Sequence, residues 1–165
     1  MNNLSGAIAL IGNPNSGKTA LFNALTGLNH KVSNYPGVTV ERKTGSCTIG
    51  DDTVEIIDLP GTYSLVPESQ DEVIVAMEVD SWVESDHAPA CIISVVDATN
   101  LERNLYLTSQ LLDLGIPVIV ALNMMDLARK KSLAIDAEKL NSTLGTAAIV
   151  PISARYGEGI EHLKD

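Results

Sequence analysis

A glycine-bounded loop follows the first apolar run of the chain and precedes a helix-compatible segment. Its glycines allow backbone N–H groups to close around phosphate oxygens, and the following helix adds its positive N-terminal end. Lys18 is placed to reach the β- and γ-phosphates, and Thr19 is placed to ligate Mg²⁺. The pattern therefore predicts a nucleotide-phosphate site. The loop consists of Gly12, Asn13, Pro14, Asn15, Ser16, Gly17, Lys18 and Thr19.

A second motif, Asp58-Leu59-Pro60-Gly61, ends another strand-like run. A carboxylate at the carboxyl end of a parallel strand lies beside the phosphate loop, where it can hold Mg²⁺ directly or through water. Gly61 could then offer its backbone N–H to the γ-phosphate. Thr62 follows, and a threonine cannot reach as far as a glutamine to orient a water that attacks the γ-phosphate. Alone, this motif is also compatible with an ordinary turn.

A third candidate, Thr39, lies between the phosphate loop and Asp58. A threonine there can reach Mg²⁺ and the γ-phosphate, so we expect Gly37, Val38 and Thr39 to contact the nucleotide. The alternative is a threonine that only belongs to a strand. Residues 30–38 and 62–71 have the least regular patterns, and we expect mobile loops there.

The base-reading motif is Asn123-Met124-Met125-Asp126, which has Met124 where many GTPases have a lysine. A carboxylate at Asp126 accepts from guanine N1–H and the exocyclic amine, whereas adenine has a lone pair at N1. Paired hydrogen bonds of this kind reject the wrong base strongly. We therefore expect GTP rather than ATP. A loop at Ser153, Ala154 and Arg155 follows the last strand and is expected to contact the guanine carbonyl through a backbone N–H.

Composition narrows the possible classes of protein. The chain has 165 residues and a net charge of −10, which fits one domain and disfavours nucleic acid as a partner. Cys47 and Cys91 lack the spacing of a zinc site or an expected disulfide, and the three histidines, among them His87, are expected at the surface. No apolar run is long enough to span a membrane, so the chain as given is expected to be soluble.

The spacing of apolar runs predicts an α/β fold. Nearly continuous Val, Ile and Leu content is typical of parallel strands buried on both faces. We expect strands at 7–11, 39–49, 54–58, 91–97, 117–123 and 147–152 and helices at 19–26, 101–114 and 136–144. Together with the order of the motifs, this pattern predicts a P-loop NTPase of the Ras-like G-domain type. We expect a mostly parallel six-stranded sheet, one antiparallel edge strand and helices on both faces.

Longer strings carry a more specific resemblance. The chain resembles the N-terminal G domain of the ferrous iron transport protein B family over essentially its whole length, and the Asn-Met-x-Asp form of the base motif also matches. The most specific string is Asn100-Leu101-Glu102-Arg103-Asn104-Leu105-Tyr106-Leu107. The others are the phosphate loop, Gly37-Val38-Thr39-Val40-Glu41-Arg42-Lys43 and Asp58-Leu59-Pro60-Gly61-Thr62-Tyr63-Ser64-Leu65.

That resemblance implies a slow GTPase that regulates or powers bacterial Fe(II) uptake. It implies GTP or GDP with Mg²⁺ held by Thr19, Thr39 and Asp58, and K⁺ held with the help of Asn15. Catalysis would rest on Lys18, Thr39, Gly61 and Asn15. The single G domain, residues 1–165, would be a soluble piece at the cytoplasmic face of the inner membrane. Its partners would be a helical domain and a membrane-embedded transport region of the same protein, with small accessory iron-transport proteins.

Two alternatives remain open at this stage. One is a nucleotide-sensing module with negligible hydrolysis, which Thr62 favours. The other is a free-standing GTPase that assists ribosome or RNA assembly, which the acidic composition disfavours.

Overall fold

A seven-stranded sheet organises the computed structural model, which describes residues 6–84 and 88–165. His87, expected at the surface, lies outside the described residues. Moving across the sheet, the order is β2-β3-β4-β1-β5-β6-β7 for the following strands. They are β1 (Ile8–Gly12), β2 (His30–Asn34), β3 (Glu41–Ile49), β4 (Asp52–Asp58), β5 (Cys91–Asp97), β6 (Val118–Asn123) and β7 (Ala148–Pro151).

The sheet is mostly parallel with an antiparallel edge, as the sequence predicts, but it has seven strands and not six. The additional strand is β2, which lies within the segment 30–38 that was expected to be a loop. Every residue of β2 is exposed, so no alternation of apolar and polar residues marks it in the sequence. It pairs antiparallel with β3, and β3 pairs antiparallel with β4 across a tight turn at Gly50. The strand of opposite direction is therefore β3, one position in from the edge.

Six α-helices cover the sheet within the described residues. The predicted helices are present with ends shifted by one or two residues, and Gly145 caps the carboxyl end of α5. The segment 62–71 contains the beginning of a long helix, α2, that the sequence analysis missed because its apolar residues occur around most of the helix. The helices are α1 (Lys18–Thr26), α2 (Gln70–Glu84), α3 (Leu101–Leu112), α4 (Met125–Lys130), α5 (Ala137–Leu144) and α6 (Ile160–Lys164).

Buried side chains form layers on both faces of the sheet. On one face, Phe22 of α1 and Leu163 of α6 pack against the strands. On the other, Trp82 of α2 and Leu107 of α3 join a second cluster that includes Ile57. Burial on both faces is the reason why the central strands are almost wholly apolar. Burial also raises the pKa of the Cys91 thiol to about 11, and the pKa of the Cys47 thiol is raised as well, so both thiols stay protonated.

The parallel strands align the motifs at one edge of the sheet. Residues Leu10 and Asp58 are partners in register, as are Asp97 and Asn123, and the phosphate loop follows β1 between them. The carboxyl ends of β1, β4, β5 and β6 therefore face the same side of the molecule, where α/β proteins bind ligands. In the part of the chain that the structure describes, no helix combines the length and the apolar content needed to cross a bilayer.

Candidate functional site

The phosphate loop is a compact turn between β1 and α1. Ser16 N–H donates to the Asn13 carbonyl at 3.1 Å, and the loop uses left-handed backbone at Asn15, with φ 63°, and at Gly17, with φ 87°. An asparagine tolerates this conformation better than most residues. The buried Asn13 Oδ1 and Ser16 Oγ atoms have no hydrogen-bond partner among the described residues. Unsatisfied buried polar atoms are rare, and their presence here fits a loop built to receive a polar ligand.

Asn123 joins the phosphate loop to the base-reading loops. Its side chain is 3% exposed, and its Nδ2 donates to the Ser16 carbonyl at 3.0 Å. Its Oδ1 accepts the Ala154 N–H at 2.9 Å. Gly17 is required at this junction, because a Cβ there would lie 2.2 Å from Asn123 Nδ2. One buried amide therefore fixes the relative positions of three predicted motifs.

The predicted guanine-reading residues lie directly beside this junction. Met124 adopts left-handed backbone, with φ 63°, and lines the same cavity as Gly17. Asp126 lies in the first turn of α4, and its N–H donates to Ser153 Oγ at 3.1 Å. Because Ala154 already donates its N–H to Asn123, that amide is not free to contact a guanine carbonyl in this conformation. Arg155 is exposed and its guanidinium lies 5.8 Å from the centre of the Tyr156 ring.

The four residues expected around Mg²⁺ and its neighbouring phosphates share one cavity of about 430 Å³. Lys18, Thr19, Thr39 and Asp58 all line it. Lys18 Nζ and Asp58 Oδ1 form an ion pair, and both side chains are largely buried. Two hydroxyls and a carboxylate are hard oxygen donors that suit Mg²⁺, so the residues fit the expected ion.

A second cavity of about 510 Å³ lies beside the phosphate loop and shares Lys18 and Thr19 with the first. Asn15, Gly61 and Met124 line it together with Lys18 and Thr19. Gly61 approaches the loop so closely that a Cβ there would lie 3.2 Å from the Cα and N atoms of Pro14. Asn15 is exposed and lines this cavity, as a cation ligand would need to. Its side-chain carbonyl oxygen is a donor type that suits K⁺.

Asp71 was not among the predicted site residues, yet it lines both cavities. The sequence places it in an acidic run with Glu68 and Glu72, and such runs are usually solvated surfaces. Residue spacing offered no signal that this carboxylate would face the phosphate loop, because helix α2, whose first turn contains Asp71, was not predicted.

The segment that follows Gly61, residues 62–69, is held by its own hydrogen bonds, and we call it the second switch segment. Thr62 is fully buried, and its hydroxyl donates to the Ser64 carbonyl at 2.6 Å. Glu72 accepts from Tyr63 N–H at 3.2 Å and from Glu68 N–H at 2.9 Å. These backbone hydrogen bonds hold the pKa of the Glu72 carboxyl below its ordinary value. The Thr62 hydroxyl is thus hydrogen-bonded within the segment, and Thr62 does not line either of the two cavities beside the phosphate loop.

The residues around Thr39 form the tip of the β2–β3 hairpin. Tyr35 N–H donates to the Val40 carbonyl at 3.0 Å and closes the tip, while Gly37 provides a left-handed turn with φ 77°. Tyr35 is buried, and desolvation raises the pKa of its phenol to about 12, with the nearby Glu78 carboxylate adding to the effect. Val38 and Thr39 are exposed, so the tip is anchored at Tyr35 and open beyond it.

Comparisons with known proteins agree with this arrangement. The family model described as ferrous iron transport protein B matches residues 6–165. The Fe(2+) transporter FeoB of Legionella pneumophila (strain Paris) is 56% identical over 159 residues, which are 94% of this chain and 20% of that protein. The Fe(2+) transporter FeoB of Salmonella typhimurium (strain LT2) is 53% identical over 157 residues, or 95% of this chain and 20% of that protein. The chain spans about a fifth of the length of these curated relatives.

Solved structures give the same result. The cytosolic domain of L. pneumophila FeoB aligns with a TM-score of 0.88 and 56% identity, covering 96% of this chain and 65% of that one. A GDP-bound mutant of S. thermophilus NFeoB aligns with a TM-score of 0.85 and 50% identity, covering 95% of this chain and 59% of that one. The FeoB G-domain from Methanococcus jannaschii aligns with a TM-score of 0.81 and 45% identity, covering 96% of this chain and 92% of that one. The chain belongs to the ferrous iron transport protein B family and has the P-loop α/β fold of its G domains.

Proposed function

We propose that this chain binds GTP and hydrolyses it slowly to GDP and phosphate. The observation that carries the proposal is the shared cavity of Lys18, Thr19, Thr39 and Asp58 beside the phosphate loop. A relative of known structure holds GDP, and the base-reading residues follow β6 as guanine recognition requires.

In this proposal each side chain has a distinct task. Lys18 leaves its partner Asp58 and neutralises charge on the β- and γ-phosphates, while Gly61 donates its N–H to the γ-phosphate. Water attacks the γ-phosphorus as the bond to the β-γ bridging oxygen breaks, so that GDP leaves with that oxygen. Bound Mg²⁺, held by Thr19, Thr39 and Asp58, would neutralise the charge that develops on the phosphates.

Turnover is expected to be slow because Thr62 occupies the position where many regulatory GTPases have a glutamine that orients the attacking water. Thr62 is buried and hydrogen-bonded to Ser64 and Glu72, so it does not orient the attacking water. Unassisted GTPases of this kind have rates of roughly 10⁻⁴ to 10⁻² s⁻¹. Potassium, held by Asn15 with the Gly37–Thr39 tip closed over it, would supply part of the missing positive charge.

We further propose that the domain acts within a longer ferrous iron transporter at the cytoplasmic face of the bacterial inner membrane. The supporting fact is that the matched Fe(2+) transporters are about five times as long as the region they share with this chain. A helical domain, a membrane-embedded transport region and small accessory proteins are its proposed partners. In this setting, hydrolysis regulates or powers Fe(II) uptake through ordering of the segments near Thr39 and Gly61.

The experiment has two parts. Equilibrium titrations with fluorescent mant-GDP and mant-ADP test guanine selectivity, and we expect GDP to bind and ADP to fail. Multiple-turnover phosphate release then separates a GTPase from the nucleotide-sensing alternative, which would bind GTP without turnover. Binding of ADP as tightly as GDP would contradict the proposal. The sensing module is favoured if GTP binds but fewer than one phosphate per protein is released over several hours.

A test in cells addresses the transport role. Replacing the corresponding region of L. pneumophila Fe(2+) transporter FeoB with this chain should preserve uptake of radiolabelled ferrous iron, given the 56% identity. The same chimera with Lys18→Ala should lose uptake while reaching the same level in the membrane. Equal uptake by both chimeras would show that nucleotide binding by this domain is not needed for transport.

A further inference from the structure

Helix α3 contacts the second switch segment at two points, and the proposed mechanism assigns neither contact a role. The guanidinium carbon of Arg103 lies 4.1 Å from the centre of the Tyr63 ring. Two turns later on the same helix, Gln110 Oε1 accepts the Leu65 N–H at 2.9 Å. Residues seven apart lie on the same face of a helix. One face of α3 therefore runs along residues 63–65.

The same helix also contacts the phosphate loop. The buried Asn13 side chain donates from Nδ2 to the Arg103 carbonyl at 3.4 Å. Arg103 therefore contacts the phosphate loop through its backbone and the second switch segment through its side chain. Arg103 therefore links the position of the phosphate loop to the position of the second switch segment.

Gly61 lies between two backbone hydrogen bonds to β1. Before it, Leu59 N–H donates to the Leu10 carbonyl at 3.2 Å, and after it, Thr62 N–H donates to the Gly12 carbonyl at 3.1 Å. The next residue, Tyr63, is 38% exposed and carries the Arg103 contact. The Arg103–Tyr63 stack thus restrains the backbone two residues beyond the N–H that is expected to meet the γ-phosphate.

We propose that Arg103 is a positioning residue that fixes Gly61 for contact with the γ-phosphate, with Gln110 as its second support on α3. This inference rests on the proposed GTPase function and adds a structural source of discrimination between GTP and GDP. Only GTP carries the γ-phosphate, so loss of the Arg103 contact weakens GTP binding and leaves GDP binding unchanged. A general structural role would affect both nucleotides equally.

The size of the effect follows from the contact. A cation over an aromatic ring at a partly exposed site changes an equilibrium by about three- to tenfold. We therefore expect Arg103→Gln to weaken binding of mant-GMPPNP, a non-hydrolysable GTP analogue, by about three- to tenfold. Binding of mant-GDP should change by less than about twofold, and kcat/KM for GTP should fall by the same factor as analogue binding.

Variants of the aromatic partner separate the stack from other effects. Tyr63→Phe keeps the ring and should behave as the unmodified protein, whereas Tyr63→Leu should reproduce the loss seen with Arg103→Gln. Arg103→Lys keeps a cation and should restore part of the affinity for mant-GMPPNP. The double variant with Arg103→Gln and Tyr63→Leu should be no weaker than either single variant, because both remove the same contact.

Two further variants complete the experiment. Gln110→Leu removes the acceptor of the Leu65 N–H and should also weaken mant-GMPPNP selectively. Lys139→Gln is the charge-matched control, since it removes one positive charge from the exposed surface of α5, and Lys139 lines neither cavity. Its affinities for both nucleotides should match those of the unmodified chain.

The outcomes distinguish the two levels of the proposal. Selective loss of mant-GMPPNP affinity in Arg103→Gln, Tyr63→Leu and Gln110→Leu supports the positioning role. Equal losses for both nucleotides, or no loss, overturn it while leaving the GTPase proposal intact. If the unmodified chain binds neither guanine nucleotide, the proposed function fails and the positioning role fails with it.

Discussion

Lys18 and Asp58, from the phosphate loop and the end of β4, form a direct ion pair, although each is expected to face a different part of the bound nucleotide. Their side chains are 11% and 5% exposed, so the pair is shielded from water. Each charge would be costly to bury alone. The pair therefore balances the two buried charges, and we expect it to separate when phosphates bind Lys18 and Mg²⁺ binds Asp58.

Asp58→Asn should reduce the effect of Mg²⁺ on nucleotide affinity. In the unmodified chain, Mg²⁺ is expected to compete with Lys18 for Asp58, and we expect GDP to bind at least about tenfold more tightly with Mg²⁺ than with EDTA. This factor corresponds to about one charge-assisted interaction. The variant should show less than about a third of that effect. Titrations with mant-GDP in both buffers measure it, and an unchanged dependence on Mg²⁺ would exclude Asp58 from the ion's surroundings.

Asp126→Asn should change which base is preferred. The carboxylate is expected to accept from both N1–H and the exocyclic amine of guanine, so its loss should weaken GDP binding by roughly 10- to 100-fold. An asparagine can instead donate to the C2 carbonyl of xanthine, so xanthosine diphosphate should bind better to the variant than to the unmodified chain. Asp51→Asn, in the exposed β3–β4 turn, is the charge-matched control. If the variant binds GDP as tightly as the unmodified chain does, the guanine base does not contact Asp126.

Glu72→Gln should loosen the second switch segment. The pKa of Glu72 is lowered from its ordinary value of 4.5, so its carboxylate stabilises the folded segment at any pH above that value. This contribution is lost as the pH falls through the lower value in the folded protein. Amide exchange protection at Tyr63 and Glu68 should therefore decrease in the variant at neutral pH and in the unmodified chain only in acid.

The exposed Glu138→Gln provides the comparison for that measurement. It removes the same charge from α5, far along the chain from the switch, and should leave protection at Tyr63 unchanged. Equal protection in Glu72→Gln and the unmodified chain at neutral pH would show that the Glu72 carboxylate does not hold the segment.

Asn123→Ala should lower stability even without nucleotide. It leaves the Ser16 carbonyl and the Ala154 N–H without their buried partner, at a cost of about 2 to 4 kcal/mol in the free energy of unfolding. Denaturant unfolding followed by the fluorescence of Trp82, the single tryptophan, measures this change. Asn34→Ala, on the exposed strand β2, should cost less than about 0.5 kcal/mol. Similar values for the two variants would contradict a structural role for the Asn123 amide.

The sequence predicted the buried strands because their apolar runs directly reflect burial on both faces of the sheet. Those strands in turn brought Gly12, Asp58 and Asn123 to one edge, as parallel pairing requires. Strand β2 was missed because its exposed residues depend on pairing with β3 rather than on their own pattern. Helix α2 was missed because its outer face carries Val73 and Met77, both exposed, so its apolar residues follow no single stripe.

The contacts within the site were less predictable than its motifs. The Thr62–Glu72 and Arg103–Tyr63 interactions join residues whose distance along the chain says nothing about their contact. The string from Asn100 to Leu107 was specific enough to indicate the family, but only the fold shows that Arg103 faces the second switch segment. Likewise, only the fold shows that Asp71, in the first turn of α2, lines the two cavities beside the phosphate loop.

Steady-state phosphate release from GTP, in matched KCl and NaCl and with ATP as the control, is the measurement that tests GTP hydrolysis most directly. We predict slow, GTP-specific, multiple-turnover release that rises in potassium, that is abolished by Lys18→Ala and whose potassium dependence is lost in Asn15→Ala. Hydrolysis of ATP at the same rate, or no turnover of bound GTP in either salt, would contradict the proposed function. Full potassium stimulation of Asn15→Ala would contradict the role of Asn15 alone.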